Sequence, residues 1–156
     1  MSPAAAEVQL KSFVLVPLGM RKVAVAADSV IELVAPGRVQ KFPHRTPWLS
    51  GVIMRRGRVI PICDVGRLLG EEASPPGSFH LIAESQAGAR RDWYAIPVRG
   101  ECVLAAGETT LPASDHAEHM IGTLSVGEEQ FEILDLGMLI QQQEKEFTDA
   151  SPETKS

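Results

Sequence analysis

The stretch Gly51-Val52-Ile53-Met54-Arg55-Arg56-Gly57-Arg58-Val59-Ile60-Pro61-Ile62-Cys63-Asp64 decides the fold. Two short apolar runs flank Arg56-Gly57, and two such runs meeting at a turn dipeptide with glycine form a β-hairpin. Asp64 then stands before Val65, Leu68 and Leu69, which share one face of a short helix. Aspartate suits an N-cap because its carboxylate accepts the unpaired amides of the first turn, and Gly70 suits the stop.

The same order of features returns 71 residues later. Gly51, Ile62, Asp64, Gly66 and Leu68 fall on Gly122, Ile133, Asp135, Gly137 and Leu139, and Val65 and Leu69 fall on Leu136 and Ile140. That shift also pairs Ala24, Leu33 and Ala35 with Ala95, Leu104 and Ala106. The second hairpin joins Ile121–Val126 to Gln130–Leu134 around Gly127-Glu128, and Asp135 opens a second helix through Leu136, Leu139 and Ile140. The chain is therefore expected to hold two similar β units within one domain.

The remaining strands are extended runs set off by turn residues: Phe13–Val16, Lys22–Val25, Val30–Val34, Phe79–Ala83, Trp93–Val98 and Cys102–Ala105. Pro17–Met20 reads as a turn, Glu71–Ser78 as a loop, and Ser85–Asp92 as a polar turn. Residues 41–50 carry two prolines and exclude a central strand, while Thr46-Pro47 suits the start of one helical turn through Trp48 and Leu49. Residues 1–11 read as a flexible N-terminus, 12–140 as the folded domain and 141–156 as a polar tail, disordered at least from 147.

The 156 residues are 44 % hydrophobic and only 5 % aromatic, so aliphatic side chains fill the interior. A chain of this size builds a core without disulfides or metals. No apolar run approaches the roughly 20 residues of a membrane span, and Met1–Leu10 lacks the pattern of a secretory signal, so a cytosolic protein is expected. Residues 1–78 carry a net charge of +4 and residues 79–156 one of −9, for −5 overall. This balance disfavours nucleic acid as a general partner.

Little points to catalysis. Cys63 and Cys102 each lie in an apolar stretch and read as buried, inert thiols. His116-Ala117-Glu118-His119 has short histidine spacing but no third ligand in sight, and His44 and His80 are isolated. Asp64 and Asp135 read as helix caps rather than as a catalytic carboxylate pair. Neither a nucleophile elbow nor a phosphate-cradling glycine loop occurs. No enzyme, cofactor or metal is expected.

Phe13–Val16, Val30-Ile31-Glu32-Leu33-Val34, Pro47–Ile53, Arg56–Val65 and Ile133-Leu134-Asp135-Leu136 together resemble the CheW domain of bacterial chemotaxis. The resemblance implies an all-β fold of two small five-stranded, SH3-like barrels around a shared core, with short helices after Cys63 and at the C-terminus. It also implies a non-enzymatic adaptor that couples methyl-accepting chemoreceptors to the regulatory domain of a CheA-type histidine kinase. Such a protein works in the cytoplasm at membrane-associated receptor arrays without inserting into the membrane. Carried over by position, Val30, Glu32, Gly51 and Arg56 would touch the receptor tip. Arg55 and Arg58 make this hairpin more basic than is usual in the family, where Asn-Leu stands at Met54-Arg55, and are further candidate contacts. Arg99 stands where the family carries Asp, which suits a divergent signalling system. The alternative is a small β-barrel that binds nucleic acid through Arg55, Arg56 and Arg58.

Overall fold

Inward and outward side chains alternate along most strands of this protein, and that period of two builds two five-stranded units. The computed structural model describes residues 11–41, 49–87, 90–112 and 117–149. In order these form β1 (Lys11–Leu18), β2 (Arg21–Ala26), a 3₁₀ turn (Ala27–Ser29), β3 (Val30–Val34), β4 (Leu49–Arg55), β5 (Arg58–Cys63) and α1 (Val65–Leu68). The second half follows with β6 (Phe79–Ala87), β7 (Arg90–Val98), β8 (Val103–Thr110), β9 (Met120–Val126), β10 (Glu129–Leu134) and α2 (Leu136–Asp149).

One unit is a closed barrel ordered β1-β2-β10-β9-β8; the other is a five-stranded sheet ordered β3-β6-β7-β5-β4. A shift of 71 residues carries β4 onto β9 and β5 onto β10 end to end. Each unit takes its first hairpin from one half of the chain and three strands from the other, so the halves are interlocked. The parallel contacts that join them obey the same shift: Ile133 pairs with Ala24, and Ile62 pairs with Ala95. The barrel interior holds Ala24, Leu124 and Ile133, and the sheet's inner cluster holds their counterparts Ala95, Ile53 and Ile62. Between the units lies a shared core that includes Val23 and Val25 of β2, Leu81 of β6, Ile96 of β7, and Val65 and Leu139 of the helices. The expected barrel pair is thus present as a closed barrel and a sheet whose edges, among the described residues, are β3 and β4.

Turn chemistry sets the hairpin registers. Arg55 pairs with Arg58 across a two-residue turn in which Arg56 (φ 55°) and Gly57 (φ 73°) are both left-handed, the pattern of a type I′ turn. Asp64 caps α1 by accepting from the Arg67 amide at 3.4 Å, and Asp135 caps α2 through Met138 at 3.0 Å. Both aspartates are therefore caps, as expected.

Three expectations need correction. Ser85–Asp92 is not a turn: β6 and β7 remain paired out to Ala87 and Arg90, and Ser85 is buried. Their polar composition hid the strands because this hairpin projects beyond the core, where outward-facing positions need no apolar side chain. Likewise Ala106–Thr110 continue β8. Third, α2 does not end near Ile140 but runs to Asp149, into the segment read as a polar tail. Gly70 stops α1 at φ 97°, whereas its counterpart is Gln141, a residue that helices accommodate. Leu49 belongs to β4 rather than to a helical turn; Thr46, Pro47 and Trp48 lie outside the described residues, as do residues 1–10 and 150–156.

Candidate functional site

The β4–β5 hairpin carries three of the candidate residues at its tip, and β3 brings a fourth against them. Arg55 and Arg58 sit opposite each other on the face that, further in, is Ile53 and Ile60. They close the end of the sheet's inner cluster, while Met54 and Val59 pair on the other face and stand about 60 % exposed. Glu32 of β3 reaches the arginines from the side. Arg55 Nε and Nη2 donate to its two carboxylate oxygens at 2.9 and 3.0 Å, a bidentate clamp. Arg56 Nε lies 3.2 Å from Glu32 Oε2. The Glu32 side chain is 17 % exposed, against 46 % for Arg55 and 58 % for Arg56. Hydrogen bonding from Arg55 above all, helped by the charges of both arginines, lowers the carboxyl pKa, and the acid raises that of Arg55 in return.

The other candidates fall differently. Val30 is partly buried and packs on the shared core. Gly51 is buried, and a Cβ there would lie 2.5 Å from the Gln40 carbonyl oxygen, because the chain at Gln40 pairs with Val52. That position therefore serves close backbone approach rather than presenting a surface. Arg58 lies over the Trp93 ring, 3.7 Å from its centroid, a cation–π contact. The residues around these arginines in sequence contain no aromatic, but the fold supplies one from β7. Arg99 is spent locally: its amide donates to Pro17 O, and its guanidinium reaches Ala73 O at 3.4 Å.

The clamp was missed from sequence. Its only signal was the single acid inside the apolar strand Val30–Val34, a buried-looking position that calls for a cationic partner.

The groups considered for catalysis are placed for structure. Cys63 is fully buried beside Asp64, and burial together with that acid pushes its thiol up to about 12. Cys102 is half-buried, and its pKa is also raised by burial. Buried His80 has its pKa lowered by desolvation. His119 Nδ1 bonds Gln142 Oε1 of α2 at 2.8 Å, while His44 and His116 lie outside the described residues. Among the described residues no three His, Cys, Asp or Glu side chains gather as a metal site would require, and no helix is long and apolar enough to cross a membrane.

A separate groove of about 1010 Å³ runs between the barrel and the β6–β7 hairpin, with Lys11, Asp28, Ser85, Arg91, Asp135 and Gly137 among its lining. None of the six candidate residues reaches it.

Two interlocked five-stranded β units are joined across one core and expose a charged hairpin with apolar neighbours. The profile of the CheW-like domain matches residues 12–144, and the chain belongs to that family. No curated protein matches the sequence. Among solved structures it is similar to the scaffolding protein TtCheW from Thermoanaerobacter tengcongensis. The two share 19 % identity with a TM-score of 0.69, over 84 % of this chain and 88 % of that one. At that identity the likeness speaks for the fold.

Proposed function

We propose that this protein is a non-enzymatic adaptor of bacterial chemosensing, holding methyl-accepting chemoreceptors to the regulatory domain of a CheA-type histidine kinase at cytoplasmic, membrane-associated arrays. The observation that carries the receptor side is the meeting of Glu32 and Arg56, 3.2 Å apart, beside the exposed pair Met54 and Val59. Arginine with apolar neighbours is the composition favoured at protein interfaces. A receptor tip is a helical hairpin, and such a helix docks by apolar anchors with polar contacts at the rim. Arg55 holds Glu32 from one side, which leaves Arg56 to offer its remaining donors outward. Arg55 and Arg58 thus act here as supports of the contact. The overall charge of −5 argues against a nucleic-acid role.

Calorimetry tests this with the kinase regulatory domain and a receptor-tip hairpin as successive titrants. Saturable binding of both without competition is expected; binding of neither removes the adaptor role.

A further inference from the structure

The charges at the tip of the β4–β5 hairpin are not demanded by the fold. A shift of 71 residues carries Glu32 onto Val103 and Arg55 onto Val126, so the second unit has two valines where the first has an acid and a base. The same shift carries Arg56-Gly57-Arg58 onto Gly127-Glu128-Glu129. The doubled architecture thus forms without these arginines, and their presence at one tip calls for a use other than packing. Arg55, Arg56 and Arg58 against Glu32 leave a local charge of +2 on a chain of −5 overall.

How the one carboxylate is shared decides which guanidinium is free. A bidentate arginine satisfies both oxygens of a carboxylate. Arg55 does this, through Nε and Nη2 at 2.9 and 3.0 Å. Arg56 meets only Oε2, through Nε at 3.2 Å, and its two terminal nitrogens have no partner among the described residues. Without Arg55, Arg56 could close on both oxygens, and acid and base would cancel toward any partner. The approach to Arg56 is open as well, since a Cβ at the neighbouring Gly57 would meet nothing within 4 Å. On the far side of Gly57, Arg58 is held over the Trp93 ring and adds its charge to the same turn.

We propose that Arg55 is a positioning residue that sets partner specificity: by occupying Glu32 it frees Arg56 to select a helix bearing carboxylates beside its apolar stripe. The apolar stripe meets Met54 and Val59, and a carboxylate at its edge takes the terminal nitrogens of Arg56, which fit two oxygens side by side. This inference rests on the adaptor reading and names the chemistry of the partner at that hairpin: the receptor tip that this protein accepts is acidic at its rim.

The test is calorimetry of the full chain with a receptor-tip helical hairpin in two forms, one with its rim carboxylates intact and one with them changed to amides. The wild type should prefer the acidic form roughly tenfold, the worth of one hydrogen bond between charged groups. Arg55→Val, which installs the residue of the second unit, should keep the fold by circular dichroism and reduce the preference to about threefold as Arg56 turns to Glu32. Arg55→Lys keeps the charge but leaves one oxygen of Glu32 to Arg56, so it should not restore the preference. Equal affinity of the wild type for the two forms, an undiminished preference in Arg55→Val, or full restoration by Arg55→Lys overturns the proposal and leaves the adaptor reading standing. Binding of neither form by any of the three proteins overturns both.

Discussion

Glu32 on β3 and Arg55 at the end of β4 are joined by two hydrogen bonds of 2.9 and 3.0 Å, and Arg56 completes the cluster at 3.2 Å. One carboxylate thereby ties a sheet edge to the tip of a hairpin. The cluster is largely exposed on its arginine side, so its value lies less in stability than in setting the direction of the guanidinium groups.

Arg56→Asn separates contact from fold. Arg56 is the only non-glycine residue with positive φ among those described, and Asn-Gly is a favoured pair for a type I′ turn. The substitution is expected to raise stability by up to about 1 kcal/mol through relief of the left-handed backbone. It should also weaken receptor-tip binding roughly tenfold, as loss of one charge-assisted contact does. Urea unfolding and calorimetry read the two effects. Unchanged affinity would remove Arg56 from the interface.

Acid should destabilise the protein in two stages. His80 is buried and its pKa lies below the ordinary 6.5. The unfolded chain therefore takes a proton near pH 6.5 that the folded chain resists, and stability falls as pH drops below that point. The Glu32 pKa is held below its ordinary 4.5, so its contribution is present above pH 4.5 and is lost as pH falls through its folded value. Urea midpoints from pH 7.5 to 3.5 should show both stages. His80→Gln should flatten the first and Glu32→Gln the second; a slope unchanged in either variant refutes that assignment.

The cysteines should differ in reactivity. Cys63 is fully buried with a thiol near 12, so in the native protein it should be alkylated only as fast as the protein opens. Half-buried Cys102 should react first. Cys63→Ser, which buries a hydroxyl in an apolar site, should cost about 1–3 kcal/mol in a denaturant titration. Equal labelling rates for the two thiols under native conditions would contradict this order.

The parts of the fold that depend on short-range chemistry were legible in the sequence. Arg56-Gly57 gives its turn, Asp64 and Asp135 give their caps, and the 71-residue repeat gives the matching interiors around Ile62 and Ile133. The exchange of hairpins between the two units was not legible, because strand partners such as Ile133 and Ala24 lie far apart in sequence and no local signal names them. Ser85–Asp92 was misread because a hairpin reaching into water loses the apolar alternation that marks a strand. At the site, Arg56 and Glu32 were identified as residues, but their ion pair was not. Their separation in sequence hides a contact that exists only once β3 lies beside the β4–β5 turn.

Gly51 and Gly122 offer the sharpest test of the repeat, because the same backbone crossing constrains both. A Cβ at Gly51 would stand 2.5 Å from Gln40 O and 3.2 Å from Val39 Cγ1; at Gly122 it would stand 2.7 Å from Thr110 O. In each case the nearest obstacle is backbone, which cannot rotate aside as a side chain does. Gly51→Ala and Gly122→Ala should therefore each destabilise the isolated protein by about 1–3 kcal/mol, the cost of overpacking. Gly100→Ala is the control, since its Cβ would meet only the Pro17 ring, Cγ at 3.5 Å and Cβ at 3.9 Å, which are ordinary contacts, and it should be nearly neutral. Thermal or urea unfolding without any partner decides the matter. Wild-type stability of Gly51→Ala, combined with lost receptor binding, would return Gly51 to the role of a direct contact, whereas matched losses at Gly51 and Gly122 would establish both as crossings demanded by the doubled fold.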